Sequence, residues 1–242
     1  NSLSLGETAF VLEEGLTISG KPLKDHHEVI GHARAIDIIY AIAEQCKEIS
    51  EQNLFDLHKA VQTSLVIDVY KTIGAWKTEP NGTNTVSSDE KQVFIEFAKP
   101  DSVPELMREW LKIFNQYSIN PGTTPEACLD QYARLHVSLV RIHPFFDGNG
   151  RMARLLSNVP AINAGLPPIV IPQEIRMEYI RSLAAYELVV GQVQPMAGMH
   201  GLDLLLPQIE KLTAFKDVCQ QAWQESKNLV EKARLQQKQR QA

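Results

Sequence analysis

The chemistry of this chain gathers in one run, His143-Pro144-Phe145-Phe146-Asp147-Gly148-Asn149-Gly150-Arg151-Met152-Ala153-Arg154. Gly148 and Gly150 can take positive φ, so the backbone around them can turn its N–H groups toward one point. The residues that follow, roughly Asn149 to Val159, read as a helix whose free N–H groups and positive dipole end would face that same point. Such a turn is a seat for an anion, phosphate above all. Arg151 and Arg154 stand at i and i+3, share one helix face and can both reach a polyphosphate. A carboxylate at Asp147 would repel phosphate unless a cation lay between them. Mg²⁺ is the usual one, held by one or two carboxylates and by phosphate oxygens. His143 is the nearby side chain able to take a proton near neutral pH. Taken singly, each residue reads more readily as structure: a glycine turn between helices, or a His-Pro pair that ends a helix. In register they read as a site.

His143 to Arg154 resembles the signature of the Fic family, H-P-F-x-[D/E]-G-N-G-R-x-x-R, at every fixed position. The resemblance implies a loop that binds ATP with Mg²⁺, and an enzyme that moves AMP onto a Ser, Thr or Tyr hydroxyl of a target protein. By position it implies His143 as the general base and Asp147 as the Mg²⁺ ligand. It implies the backbone of Gly148 to Gly150, with the Asn149 side chain, as the anion hole for the α-phosphate. Arg151 and Arg154 become the arginines that hold the β- and γ-phosphates. A related branch that transfers phosphate carries lysine where Gly150 stands, so glycine favours AMP transfer. Other readings stay open. The same site suits removal of AMP or use of another diphosphate-containing donor. The chain also suits a nucleotide-binding module with negligible turnover, which an intact His143 speaks against.

The elements that must position these residues follow from caps and periodicity. Thr124 caps, Pro125 sits at N1, and a helix continues through Leu129, Tyr132, Ala133, His136, Val137 and Val140 to about Ile142. It is apolar enough to be central, with His136 buried in it, and it presents His143 at its C-terminal end. The dipole there would favour imidazolium and make His143 slightly more basic. Upstream, Asp25 and Glu28 read as a capping box before an amphipathic helix from His26 to Ser50. A second helix covers Leu54 to Val69, with Leu65 and Val66 on its apolar face and His58 as a satisfied core residue. Ser102 is the candidate cap of a helix carrying Leu106, Trp110 and Phe114. Downstream, Pro160 should kink the motif helix, and Ile169 to Ile171 is a short apolar segment limited by Pro172. Glu174 to Leu188 is helical. The family resemblance makes that helix help enclose the adenine, with Tyr179 as a weak stacking candidate. Leu202 to about Arg234 is helical, followed by a frayed polar tail.

Ile73 to Thr78 and Gln92 to Phe97 have strand character. They flank a linker with Pro80, Asn81-Gly82 and Ser87-Ser88, which reads as a hairpin with a long loop. The resemblance implies a flap over 73–97 whose edge pairs with the target's backbone, with Trp76, Lys77 and Thr78 as target-binding residues. Near the start, Ala9 to Leu12 form a short helix that ends at Gly15. Many Fic proteins carry an inhibitory helix reading [S/T]-x-x-x-E-[G/N]. Glu14-Gly15 matches its final pair, with Phe10 where Ser or Thr is expected. The resemblance thus implies Glu14 as a regulatory residue that competes with the γ-phosphate for Arg154.

The 242 residues are 44% hydrophobic, enough for a sizeable core. A net charge of −5 argues against a nucleic-acid partner. No apolar run is long enough to span a membrane. Cys46, Cys128 and Cys219 lie far apart and suit a reduced, cytoplasmic protein. The expected architecture is mostly α, a Fic-type helical bundle with one small β-hairpin flap. One domain covers 1–242. Within it lie an N-terminal helical region (6–50), a core (51–190) with the flap (73–97) and the motif (143–154), and a C-terminal helical extension and tail (191–242). The expected partners are ATP and a target hydroxyl, with room for a homodimer.

Overall fold

Helix α5, Pro125–Ile142, lies at the centre because nearly all its faces are apolar. Tyr132, Leu135, Val137, Leu139 and Ile142 are buried in it. Thr124 starts it as expected, its hydroxyl accepting the Ala127 N–H at 3.2 Å. Helix α4, Val103–Ile119, packs along it, and the Trp110 indole donates to the Leu135 carbonyl at 3.0 Å. Helices α6 (Asn149–Leu156), α7 (Val159–Asn163), α9 (Gly201–Leu205) and α10 (Thr213–Gln241) close the other sides. Helix α2, Leu23–Gln45, crosses α3 (Glu51–Val61), α6 and α7, and carries α1, Leu5–Glu14, on its outer side. Strands β1 (Gly82–Val86) and β2 (Gln92–Glu96) pair antiparallel, with Gly82 opposite Glu96 and Val86 opposite Gln92. Helix α8, Arg176–Val190, packs on α10 and β2. This computed structural model describes residues 2–62, 72–86 and 91–241, and among them no helix is long and apolar enough to cross a membrane.

The mostly helical architecture with one small hairpin is as expected, and so is α1 ending at Gly15, whose φ is 68°. Several boundaries differ. Helix α2 begins at Leu23, so Asp25 lies in its first turn and accepts the Ser2 N–H at 2.6 Å instead of capping the helix. It stops at Gln45, where Cys46 turns left-handed. Helix α3 ends at Val61; Leu65, Val66 and Val69 lie outside the described residues. Ser102 makes no side-chain cap, because a 3₁₀ turn at Pro100–Ser102 already leads into α4. The motif helix breaks after Leu156: Pro160 has no N–H for that carbonyl and sits instead in the first turn of α7. Residues 169–171 form no strand. The expected helix from Leu202 is interrupted around Pro207, and α10 runs on to Gln241 where a frayed tail was expected.

The hairpin is the main correction. Its first strand is Gly82–Val86, not Ile73 to Thr78, and Asn81-Gly82 opens the strand where a turn was expected. Trp76 stacks edge-on to Phe55 at 4.6 Å and also meets Phe145 at 5.1 Å. The apparent alternation of 73–78 therefore reflects packing onto the motif loop, not sheet pairing.

Candidate active site

His143 closes α5 with φ 50°, a left-handed conformation costly for a residue with a side chain. Its N–H donates to the Leu139 carbonyl at 2.9 Å, and this turn brings ring Nδ1 to 3.0 Å from the Val140 carbonyl. A carbonyl only accepts, so Nδ1 carries the proton and Nε2 keeps its lone pair. The ring lies flat on Phe97, with centroids 3.7 Å apart and planes 1° from parallel. Burial pushes its pKa down to about 4; the Val140 bond and Asp147 oppose that, while the Lys77 charge adds to it. Burial thus makes His143 less basic, against the dipole-based expectation of a more basic histidine.

The loop after His143 is held from within. Asn149 is buried, its Oδ1 accepting the Phe145 N–H at 2.9 Å and its Nδ2 donating to the Phe145 carbonyl at 2.8 Å. The Asn149 side chain thus staples the loop by bonding both backbone groups of Phe145. Gly148 has φ 82° and caps α6. The first helical bond runs from the Met152 N–H to the Gly148 carbonyl at 2.9 Å. The N–H groups of Asn149, Gly150 and Arg151 therefore have no helical acceptor, and they share one end with the positive dipole.

Around this seat stand the charges. Asp147 is exposed, its Oδ1 accepting the Gly148 N–H at 2.6 Å and its Oδ2 the Gln62 amide at 3.2 Å. Burial raises its pKa, but the Gly148 and Gln62 bonds and the Arg151 charge outweigh that and hold it below the usual carboxylate value. Arg151 donates to the Val61 carbonyl at 3.0 Å and to Gln62 Oε1 at 2.9 Å. Arg154 donates to the Tyr179 hydroxyl at 3.4 Å, and that hydroxyl lies 3.0 Å from His136 Nε2. Tyr179 and His136 are both buried, so Tyr179 is a core residue, not an exposed face for adenine. On the α2 side, Arg151 and Arg154 line a cavity of about 240 Å³ whose other walls include Ile36, Ile39, Leu155 and Ile169.

The fold thus brings His143, Asp147, Gly148, Asn149, Gly150, Arg151 and Arg154 into one loop and one helix start. Glu14 is exposed at the end of α1, and among the described residues it forms no ion pair with Arg154. Trp76 and Lys77 turn into the protein, and Thr78 alone of the three is exposed. Sequence reasoning missed Gln62, which bridges Asp147 and Arg151, and Asn81, which donates to the Phe145 carbonyl at 3.0 Å. It also underrated His58, whose ring stacks on Phe145 at 3.9 Å, accepts the Gly74 N–H and lies 3.0 Å from the Asp147 carbonyl. Gln62 carried no signal in the sequence, whereas His58 and Asn81 were polar residues in otherwise explicable places.

Residues 48–161 match the Fic/DOC family. Protein adenylyltransferase fic-1 of Caenorhabditis elegans is 32% identical over 197 residues, which take in 81% of this chain and 35% of that protein. Protein adenylyltransferase Fic of Drosophila grimshawi is 30% identical over 189 residues, 76% of this chain and 35% of its own. The chain therefore spans about 35% of the length of these curated relatives. Among solved structures, a Fic-domain-containing signaling protein from Bacteroides thetaiotaomicron superposes with a TM-score of 0.76 at 27% identity, covering 96% of this chain and 81% of that one. A Caenorhabditis elegans Fic-1 fragment gives 0.64 at 27% identity, covering 96% and 60%. The family match over residues 48–161, which takes in the whole 143–154 run, and the shared architecture of the Bacteroides Fic-domain protein make this chain a member of the Fic/DOC family.

Proposed function

We propose that this chain transfers AMP from ATP to a Ser, Thr or Tyr hydroxyl of a target protein and releases pyrophosphate. One observation carries the reading: a histidine with Nδ1–H spent on Val140 and Nε2 left to accept shares a loop with a helix start whose first N–H groups have no helical acceptor. The phosphates would lie over the N–H groups of Asn149, Gly150 and Arg151, with Arg151 and Arg154 on the β- and γ-phosphates. The target oxygen attacks the α-phosphorus, the bond to the β-phosphate oxygen breaks, and pyrophosphate leaves with the electron pair. The hydroxyl proton passes to Nε2 of His143. No covalent enzyme intermediate is needed, so the effect rests on positioning and on fixed N–H groups.

Asp147 fits a Mg²⁺ ligand, being ionised and exposed. Among the described residues no group of three or more acidic, His or Cys side chains converges, so the ion would be held jointly by Asp147 and phosphate oxygens. Mg²⁺ there would offset charge on the phosphates. Among the described residues, strands β1 and β2 pair only with each other, which leaves an edge to which an extended target segment can add. The cysteines Cys46, Cys128 and Cys219 are free, which suits a reducing, cytoplasmic setting.

Incubation with α-labelled ATP and Mg²⁺ in a lysate tests the reading. The parent should label protein, and His143→Ala should lose about 10²–10⁴-fold in rate while still binding ATP. An Ala variant that labels as fast as the parent removes His143 from the role of base. Glu14 is retained as a proposed inhibitor of Arg154. That ion pair is not formed here, so inhibition requires the Glu14 carboxylate to move onto Arg154. Glu14→Gly should then speed self-labelling at unchanged ATP affinity; equal rates end the proposal.

A further inference from the structure

We propose that Lys77, together with Asn81, is a positioning residue that fixes His143 from beneath the motif loop; this rests on the reading of His143 as the base. The family resemblance implies Lys77 as a target-binding residue of the flap. It is 3% exposed instead, and a buried ammonium is costly unless its donors are spent. Nζ donates to Asn81 Oδ1 at 2.6 Å and to the Ile142 carbonyl at 3.4 Å. The Lys77 backbone N–H donates to the Pro144 carbonyl at 2.8 Å, and Asn81 Nδ2 donates to the Phe145 carbonyl at 3.0 Å.

The carbonyls on both sides of His143 thus accept from one short segment, 77–81. Ile142 offers one of the last carbonyls of α5, which lack helical donors and lie at the negative end of its dipole. His143 is left-handed and would relax if its neighbours were free to rotate. Asn81 also accepts the Phe97 N–H at 3.1 Å, and Phe97 is the ring on which His143 lies. The strap therefore sets the backbone of His143 from one side and its ring from the other.

The strap also carries charge. Lys77 faces His143 from the strap, Asp147 faces it from the loop, and Glu96 of β2 faces Lys77. Burial brings Lys77 down to about 8, so it remains mostly protonated at neutral pH. An ammonium there disfavours imidazolium, and so keeps the Nε2 lone pair available.

Lys77→Met and Lys77→Arg in the full chain test this. Two quantities are followed between about pH 4 and 8, the range spanned by the two groups: kcat/KM for AMP transfer, and the NMR shift of the His143 Cε1–H, assigned by its loss in His143→Ala. In Lys77→Met, His143 should take its proton at higher pH, and the acid limb of kcat/KM should move up with it. The value of kcat should fall about tenfold or more at nearly constant KM for ATP, and Lys77→Arg should restore both. A merely structural lysine would lower the melting temperature without moving the titration. An unmoved His143 titration in folded Lys77→Met overturns the inference. Should Lys77→Met not fold, Asn81→Ala cuts the same strap, and unchanged kcat there overturns it equally. A titration that moves in a protein that transfers no AMP sinks the function reading and leaves the positioning intact.

Discussion

At the scale of single residues, the site divides by what each side chain has already spent. Asn149 has spent its amide on Phe145 and Arg151 part of its fork on α3, whereas among the described residues His143 Nε2 has not, and the Asp147 carboxylate, engaged at both oxygens, still lies open to solvent. Gln62 is the arbiter between opposite charges, donating to Asp147 and accepting from Arg151, which stand 3.6 Å apart. A cation beside Asp147 competes with Gln62 and Arg151 for the same oxygen. Asp147→Ala should therefore abolish the Mg²⁺-dependent part of ATP affinity, by at least about tenfold, since even loss of an outer partner of a metal ligand costs 10–100-fold. Calorimetry with and without Mg²⁺ reads this directly. A parent that binds ATP equally in both conditions leaves Asp147 without the assigned task.

At the scale of elements, the site is a junction between two helices made possible by one glycine. Gly148 at φ 82° turns the chain from α5 into α6, and a Cβ there would lie 3.5 Å from His58 Nε2, which is tolerable, so the obstacle is the backbone conformation itself. Gly148→Ala should cost about 1–2 kcal/mol of stability and weaken nucleotide binding by re-aiming the N–H groups of α6. Thermal melts and ATP titration check the two halves; an unchanged melting temperature would mean the loop relaxes at no cost. This junction was legible in the sequence because its determinants are local: Thr124 and Pro125 start α5, the His-Pro pair ends it, and the glycines begin α6. The hairpin was misplaced because its determinants are not local. Trp76 and Lys77 alternate like a strand, yet their partners are Phe55, Ile142 and Pro144, far away in the chain. Asn81-Gly82 has turn chemistry, yet Asn81 spends its amide on Phe145. Gln62 could not be found at all, since its importance lies wholly in what α6 brings to it.

At the scale of the whole molecule, α5 must hold its C-terminal end still while the C-terminal helices wrap it, and one buried arginine links the two. Arg141, two residues before His143, is 3% exposed and donates to Glu187 of α8 at 2.7 Å, to the Gly191 carbonyl at 2.7 Å and to the Leu205 carbonyl of α9. Its guanidinium also lies 5.6 Å from the Tyr186 ring centre, and the Tyr186 hydroxyl donates to the Pro207 carbonyl at 2.6 Å. Burial raises the Glu187 pKa and Arg141 pulls it back, so removing the arginine leaves either a buried unpaired carboxylate or a proton taken up from solvent. Arg141→Met should therefore lose about 3–5 kcal/mol. Adding Glu187→Leu removes the stranded carboxyl and should recover part of that loss. It should not recover all of it, because the Gly191 and Leu205 carbonyls still lack a donor. Denaturant midpoints of the parent, the single and the double variant measure both steps. A double variant no more stable than Arg141→Met would mean the cost lies in the Gly191 and Leu205 carbonyls, and the ion pair would then add nothing to the way the C-terminal helices are held on α5.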